Sequence, residues 1–333
     1  MSLLSRRQTL GGLAALGGLG LLPQGGAAAP AERLDNLTIN AMPATPSVVL
    51  AHLAESGVLA PHAARTVVKV WRTPDQLRAG ILAGEMKVFG IPSHTAANLA
   101  NRGVPLRMVD VLTWGLLYVM SRDPAVTRIE DLAGRQVLMA FRHDAPDLIF
   151  RLVLRRAGMD PDKDVKLQYQ GTPTETAQLF LAGKGDMAVI PEPAATAARL
   201  RGMQSGIAIH RALDLTEVYG RLAGRPPRLP QAGLAVSEDL VQSRPELVKA
   251  LHEGCRASAG WVLNNPASAG RLGSDYLDLP PPVIEASLPH FRMAVVPAAE
   301  ARPEMEAYFA DLLAMSPEVI GGKLPEGRFY WGA

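Results

Sequence analysis

The chain has 333 residues, 34 Lys and Arg against 32 Asp and Glu, 48% hydrophobic residues and one cysteine. That length exceeds a single ordinary core and predicts about two domains. A net charge of +2 excludes the basic face that a nucleic-acid binder needs, and one cysteine excludes an intramolecular disulfide framework and multi-cysteine zinc or iron–sulfur sites.

Residues 1–31 contain no Asp or Glu. Arg6 and Arg7 precede Leu10–Leu22, an apolar, glycine-rich run. It is too short for a membrane span, which needs ~20 residues, and suits the apolar region of an export signal. Ser5-Arg6-Arg7-Gln8-Thr9-Leu10 resembles the bacterial twin-arginine motif, with Thr9 where phenylalanine is usual. Cleavage is expected after Ala31, and an ordinary secretion signal is the alternative. Either route puts the mature protein in the periplasm. Removing 1–31 takes away two basic residues and leaves 32 against 32, with no long apolar run behind them. No transmembrane segment is therefore expected in the mature chain.

Leu37–Met42 reads as a strand, followed by the loop Pro43–Ser47 and a helix from about Ser47 to Ser56 that ends at Gly57. A strand (Thr66–Trp71), a helix opening near Pro74 and closed by Gly84, a strand (Lys87–Ile91) and a helix (His94–Asn101) complete a βαβαβα unit. The chain then repeats itself at an offset of 99 residues. Thr73-Pro74 matches Thr172-Pro173, Leu82-Ala83-Gly84 matches Leu181-Ala182-Gly183, and Ile91-Pro92 matches Ile190-Pro191. Within Leu82–Gly103, 8 of 22 positions are identical, a self-similarity above chance. The second copy predicts strands at Val137–Phe141, Val165–Tyr169 and Asp186–Ile190, and helices over Ala145–Ala157, from Pro173, and over Pro193–Leu200.

A βαβαβα unit demands a parallel sheet with helices on both faces. Two copies predict an α/β protein of two similar lobes with a cleft beyond the carboxyl ends of the strands. Leu116–Ser121 and Ala232–Ser237 read as strands crossing between the lobes, the second preceded by the proline-rich stretch Gly224–Gln231. Lobe 1 is then 32–116 plus 236–333, and lobe 2 is 117–235. Helices are expected over Pro245–Leu263, Pro282–Leu288 and Arg302–Met315, with the tail packed on lobe 1.

Several motifs carry a family resemblance over nearly the whole mature chain. They are Leu82-Ala83-Gly84, Asp160-Pro161-Asp162-Lys163-Asp164-Val165, and Gly183-Lys184-Gly185-Asp186 followed by Ile190-Pro191-Glu192-Pro193. The closing Ile320-Gly321-Gly322-Lys323-Leu324-Pro325 and Phe329-Tyr330 belong with them. The chain resembles the periplasmic substrate-binding proteins of ABC transporters, in the branch associated with nitrate, sulfonate, taurine and thiamine-precursor import. The resemblance implies the two-lobed periplasmic-binding-protein fold (type II), each lobe a mostly parallel sheet flanked by helices, with two crossover strands as hinge. It also implies a monomer that closes on a small-molecule ligand and docks on a permease with its ATPase. One departure is Lys87, which stands where the second copy has Asp186; that carboxylate is expected to cap or position the cleft loop.

Ligand residues are sought in loops entering helix N-termini, where free N–H groups and the helix dipole favour an anion or carbonyl. The first loop offers Pro43, Thr45 and Ser47, with N-capping the other role of the last two. The second offers Ser93, His94 and Thr95, with Glu192 as repeat mate. The third offers Arg142, His143 and Asp144. Arg142 can fork onto a carboxylate, sulfonate or phosphate or pair with Asp144. Trp114 is placed to stack on a ligand or to pack the hinge, and Thr172 completes the set.

His94, His143 and Glu192 would make a metal site if they converged, but no HxxxH or HxH spacing supports one, and neither metal nor cofactor is expected. His52, His62, His210, His252 and His290 show no pattern, and Cys255 is expected to be a buried, inert thiol. No G-x-S-x-G, P-loop or G-x-G-x-x-G is present, so no catalytic residue is expected. The expected function is the extracytoplasmic solute-binding component of an ABC import system, taking a small, anionic organic or inorganic ligand. An exported sensor or accessory protein using the same cleft, and a biosynthetic enzyme on the same fold, are the alternatives.

Overall fold

A computed structural model describes residues 32–332; the expected export signal, 1–31, lies outside the described residues. The chain begins β1 (Leu34–Ala41), α1 (Pro46–Glu55), β2 (Ala63–Val70), α2 (Pro74–Leu82), β3 (Val88–Pro92), α3 (Ser93–Asn101) and β4 (Leu106–Thr113). It continues β5 (Leu117–Ser121), β6 (Gln136–Ala140), α4 (Ala145–Arg156), β7 (Lys166–Gln170), α5 (Pro173–Leu181), β8 (Met187–Pro191), α6 (Ala194–Gln204), β9 (His210–Asp214) and α7 (Leu215–Ala223). Then come β10 (Ala232–Ser237), α8 (Glu238–Ser243), α9 (Pro245–Asn264), α10 (Pro266–Leu277), α11 (Pro281–Ser287), β11 (Met293–Pro297) and α12 (Ala298–Met315).

Hydrogen bonding sorts the strands into a six-stranded sheet, β11-β4-β10-β3-β1-β2, and a five-stranded sheet, β7-β6-β8-β5-β9. β1 pairs in parallel with β2 and β3, and β6 with β7 and β8, as the repeat requires. The returning strands β5 and β10 pair antiparallel with β8 and β3. The fold is mixed α/β and two-lobed, one lobe per sheet. β8 is buried throughout and β3 over all but its last residue, which explains their unbroken apolar sequences: a central parallel strand is covered on both faces. The repeated Thr-Pro pair is a helix start. Thr73 Oγ1 accepts from Gln76 N at 3.2 Å and Thr172 Oγ1 from Glu175 N at 3.1 Å, with proline in the first turn.

The expected strands form but do not themselves cross: β5 pairs within one sheet, with β8 and β9, and β10 within the other, with β3 and β4. The chain passes between sheets at 114–116, just before β5, and at 224–231, just before β10. Gly115 sits there with φ +141, and a Cβ on it would come within 2.2 Å of Thr216 Oγ1. Trp114 N and Arg292 N exchange 2.9 Å hydrogen bonds with Arg292 O and Gly115 O, respectively, so the tail reinforces the first crossing.

The tail packs on the first lobe through β11, which pairs with β4, and through Trp331 N, which donates to Met108 O at 2.8 Å. It also reaches the second lobe, because Asp311 on α12 accepts from Arg156, Tyr219 and Arg225. The role expected for Asp186 is corrected. It stands at the amino end of β8, opposite the strand ends that face the seam, and accepts from Gln136 N at 2.8 Å. Lys87, at the matching end of β3, pairs with Asp239 at 2.9 Å. Neither lines a cavity at the seam.

Asp110 is fully buried on β4 and accepts from His252 Nδ1 on α9 at 2.6 Å. That hydrogen bond raises the His252 pKa above the ordinary imidazole value despite the opposing effect of burial. A proton held more tightly in the folded chain stabilises it fully below about pH 6.5, and this contribution fades as pH rises through the elevated value. The free energy of unfolding from chemical denaturation should therefore fall from pH 6.5 upward. The slope should flatten in His252→Gln, since His52 and His290, whose pKa values burial lowers, are common to both proteins. An identical slope in the variant would contradict the assignment.

Candidate functional site

The strand-to-helix loops of both sheets meet along one seam. At its middle lies a chamber of about 70 Å³ walled by Met42, Trp71, Phe141, Leu116 and several prolines, with Asp144 and Gln231 as polar neighbours. A pocket of about 310 Å³ shares Pro43, Trp71, Pro173 and Pro191 with it and extends to Thr172 and Glu192. The largest seam cavity, about 670 Å³, opens where α3 faces α4. Arg78 and Arg102 line it from one lobe and Arg142, Arg151 and Arg155 from the other, with His94 and His143 between them. Asp162 and Glu318 are the only carboxylates in its lining.

The loop between β6 and α4 takes an unusual path. Phe141 and His143 have φ of 63° and 61°, a left-handed conformation that is rare for a bulky residue and persists only where the surroundings fix it. Here they do. Asp144 N donates to Phe141 O at 3.0 Å, and His143 N donates to Asp147 Oδ2 at 2.8 Å. Asp147 is buried and is itself held by Arg151 Nε at 2.7 Å and Tyr169 OH at 2.9 Å. Burial, ahead of these neighbours, pushes the Tyr169 phenol up to about 12. The loop delivers Arg142 to the large cavity, its guanidinium 5.5 Å from the Tyr169 ring centroid. Arg142 pairs neither with Asp144 nor with any other carboxylate among the described residues.

Asp144 instead bridges the lobes. Its carboxylate caps α4, accepting from Ala145 N at 2.7 Å, and accepts from Arg78 Nη2 on α2 at 2.6 Å. His94 Nε2 on α3 lies 3.5 Å away and has a nearer partner in Thr95 Oγ1 at 3.1 Å. Burial alone would push the Asp144 carboxyl up, but His94, Arg78 and the Ala145 N–H together hold it below the ordinary carboxylate value.

Glu192 is buried in the second lobe, accepting from Arg211 at 2.9 and 2.6 Å and from Thr196 N at 3.0 Å. Burial raises its pKa, with Arg211 as the chief opposing influence. Its carbonyl oxygen accepts from Thr45 N, 3.4 Å across the seam.

The remaining expected residues divide by what their polar atoms already do. Ser47 Oγ donates to Met42 O within its own loop, and Ser93 Oγ to Pro230 O, tying the start of α3 to the second crossing. Trp114 is buried in the hinge, donating to Ala294 O at 2.9 Å beneath the Arg228 guanidinium at 4.0 Å. Thr172 is the cap of α5. In contrast Thr45 Oγ1, His94 Nδ1 and Gln231 Oε1 are buried with no partner, and neither α1 nor α3 has a side-chain cap. His94 and His143 line one cavity and Glu192 another, and no cluster of three or more His, Cys, Asp or Glu able to hold a metal occurs among the described residues. Sequence reasoning missed Arg78, Asp147 and Arg211. Only Asp147 left a signal, its i,i+4 spacing to Arg151.

Residues 79–269, more than half of the chain, match the family model described as NMT1/THI5 like. The chain belongs to the NMT1/THI5-like family. No curated protein sequence matches it. Among solved structures it is similar to an ABC transporter protein of Parabacteroides distasonis, with 21% identity, a TM-score of 0.72, and coverage of 89% of this chain and 98% of that one. It is also similar to the periplasmic aliphatic sulphonate binding protein of Escherichia coli (16%, 0.66, 89% and 99%). A third is the periplasmic nitrate-binding protein of Synechocystis PCC 6803 (14%, 0.66, 88% and 85%). At such identities the likeness establishes the fold, and it agrees with the two lobes of this NMT1/THI5-like protein.

In this NMT1/THI5-like seam the Glu192–Arg211 pair stands within one lobe, so its loss should report on stability alone. Arg211→Met leaves a buried carboxylate uncompensated and should lower the unfolding free energy by ~3–5 kcal/mol. A change below ~1 kcal/mol in chemical denaturation would contradict a buried, charge-dependent pair.

Proposed function

We propose that this protein is the extracytoplasmic solute-binding component of an ABC import system, capturing a small organic or inorganic anion between its lobes for delivery to a permease and its ATPase. The observation that carries the reading is the arginine-rich cavity at the seam, where Arg78 and His94 of one lobe and Arg142 of the other face the same 670 Å³ space. Arginine's planar fork suits carboxylate, sulfonate or nitrate. Similarity to sulphonate- and nitrate-binding proteins and the export-type sequence of 1–31 support it. The protein works as a monomer, with one lobe built on the six-stranded sheet, which takes in β10 from Ala232, and the other on the five-stranded sheet.

Mechanically, the first lobe supplies the first contacts through Arg78 on α2 and His94 at the start of α3, which both line the cavity. Arg142 adds its contact only when the second lobe swings in. A ligand shifts the open–closed balance only by its differential affinity for the two forms, so a residue reached on closure governs both affinity and closure. The permease then reads the closed form. No chemistry on the ligand is required.

A thermal-shift screen with nitrate, ethanesulfonate, sulfate and succinate, followed by calorimetry, tests this reading. Arg142→Ala should weaken binding of whichever anion is found by ~1.5–3 kcal/mol, the worth of a hydrogen bond to a charged group. Unchanged affinity would remove Arg142 from the site, and stabilisation by cations alone would overturn the anion reading.

A further inference from the structure

We infer that Asp144 is a built-in competitor for the ligand's anionic group, and so a determinant of affinity at the proposed site; the inference rests on the anion reading above. The carboxylate of Asp144 is surrounded as an anionic ligand would be. Arg78 Nη2 donates to Oδ2 at 2.6 Å, His94 Nε2 stands 3.5 Å from Oδ1, and Ala145 N at a helix start donates at 2.7 Å. A guanidinium, an imidazole and a helix N-terminus are the donors that recognise a sulfonate or carboxylate.

This is a built seat, since Asp144 is 3% exposed and His94 2%. It also divides two compartments. Arg78 and His94 line the large arginine-rich cavity, whereas Asp144 lines the apolar central chamber. His94 Nδ1, buried and without a partner, leaves that imidazole a free valence for a further ligand atom.

An anion approaching Arg78 and His94 from the cavity meets the Asp144 carboxylate at the same donors. Two like charges at one cation repel, so the ligand must displace Asp144 before it gains the full contact. The displaced interaction also joins the lobes, and molecules latched by it are not competent for the anion. Apparent affinity falls by the fraction so held. Removing the charge while keeping the helix cap should reverse both effects. Asp144→Asn does this, and Asp144→Ser, another capping side chain, serves if the first variant folds poorly.

Calorimetric titration of wild type, Asp144→Asn and Asp144→Ser with ethanesulfonate and with nitrate tests the inference, alongside small-angle scattering without either anion. At least one variant should bind about tenfold more tightly than wild type, which is ~1.4 kcal/mol, and should have a larger radius of gyration in the absence of anion. Wild-type binding with equal or weaker binding by the cooperatively folded variants would overturn the competitor role and leave the anion reading intact. Binding of neither anion by any of the three proteins would overturn both.

Discussion

A parallel strand must be followed by a crossover before the next can pair beside it, and that single topological constraint builds the seam. β1 and β3 in one sheet and β6 and β8 in the other all release the chain at their carboxyl ends, where α1, α3, α4 and α6 begin. Thr45, His94, Asp144 and Glu192 each lie within a few residues of such a strand end. Their convergence therefore needs no local motif, only two copies of one winding rule facing each other. The same rule lines the seam with the positive ends of helices.

The two lobes answer that positive field differently. In the second lobe Asp144 and Glu192 set their own carboxylates at the starts of α4 and α6, where Ala145 N and Thr196 N donate to them. In the first, α1 and α3 carry no side-chain cap. Buried carboxylates are tolerated only when paired, and the pairing separates their roles. Glu192 is matched by Arg211 of its own lobe and is a fixture. Asp144 is matched by Arg78 of the other lobe, so its partner changes distance whenever the lobes move. The tail adds a second tie through Asp311, which binds Arg156, Tyr219 and Arg225 on the far side of the hinge.

Much of the fold was legible because it repeats. The offset of 99 residues aligned Thr-Pro caps, helix-ending glycines and buried strands in two copies, and the parallel pairing followed. β4, β9 and β11 lie outside the repeat. β9 is an edge strand that mixes charged and apolar residues and has no apolar run, whereas β11, also at an edge, is as apolar as β8 but lacked a repeat mate to mark it. The site was legible as a set of loops but not as a set of pairs. Arg142 and Asp144 invite pairing because they are neighbours in the sequence, yet Asp144 takes Arg78, 66 residues away, on the opposite lobe. Arg78 sits mid-helix, and its local i,i+3 partner Asp75 gives no sign of the contact across the lobes. The left-handed residues Phe141 and His143 were equally hidden, because that conformation is uncommon for any non-glycine residue and the hydrogen bonds of Asp147 and Gln170 impose it.

The central claim is that the two lobes close on an anion, and it is tested most directly by a distance across them. Cys255, the only cysteine, is fully buried and its thiol pKa is pushed well up by burial, so it will not compete for a spin label. Leu82 on α2 and Met203 on α6 are exposed and lie one in each lobe. Pulsed dipolar spectroscopy of Leu82→Cys/Met203→Cys, with and without saturating ethanesulfonate or nitrate, should show a broad distribution collapse to one narrow, displaced distance. An unchanged distribution under conditions where calorimetry shows the anion bound would contradict closure on the ligand.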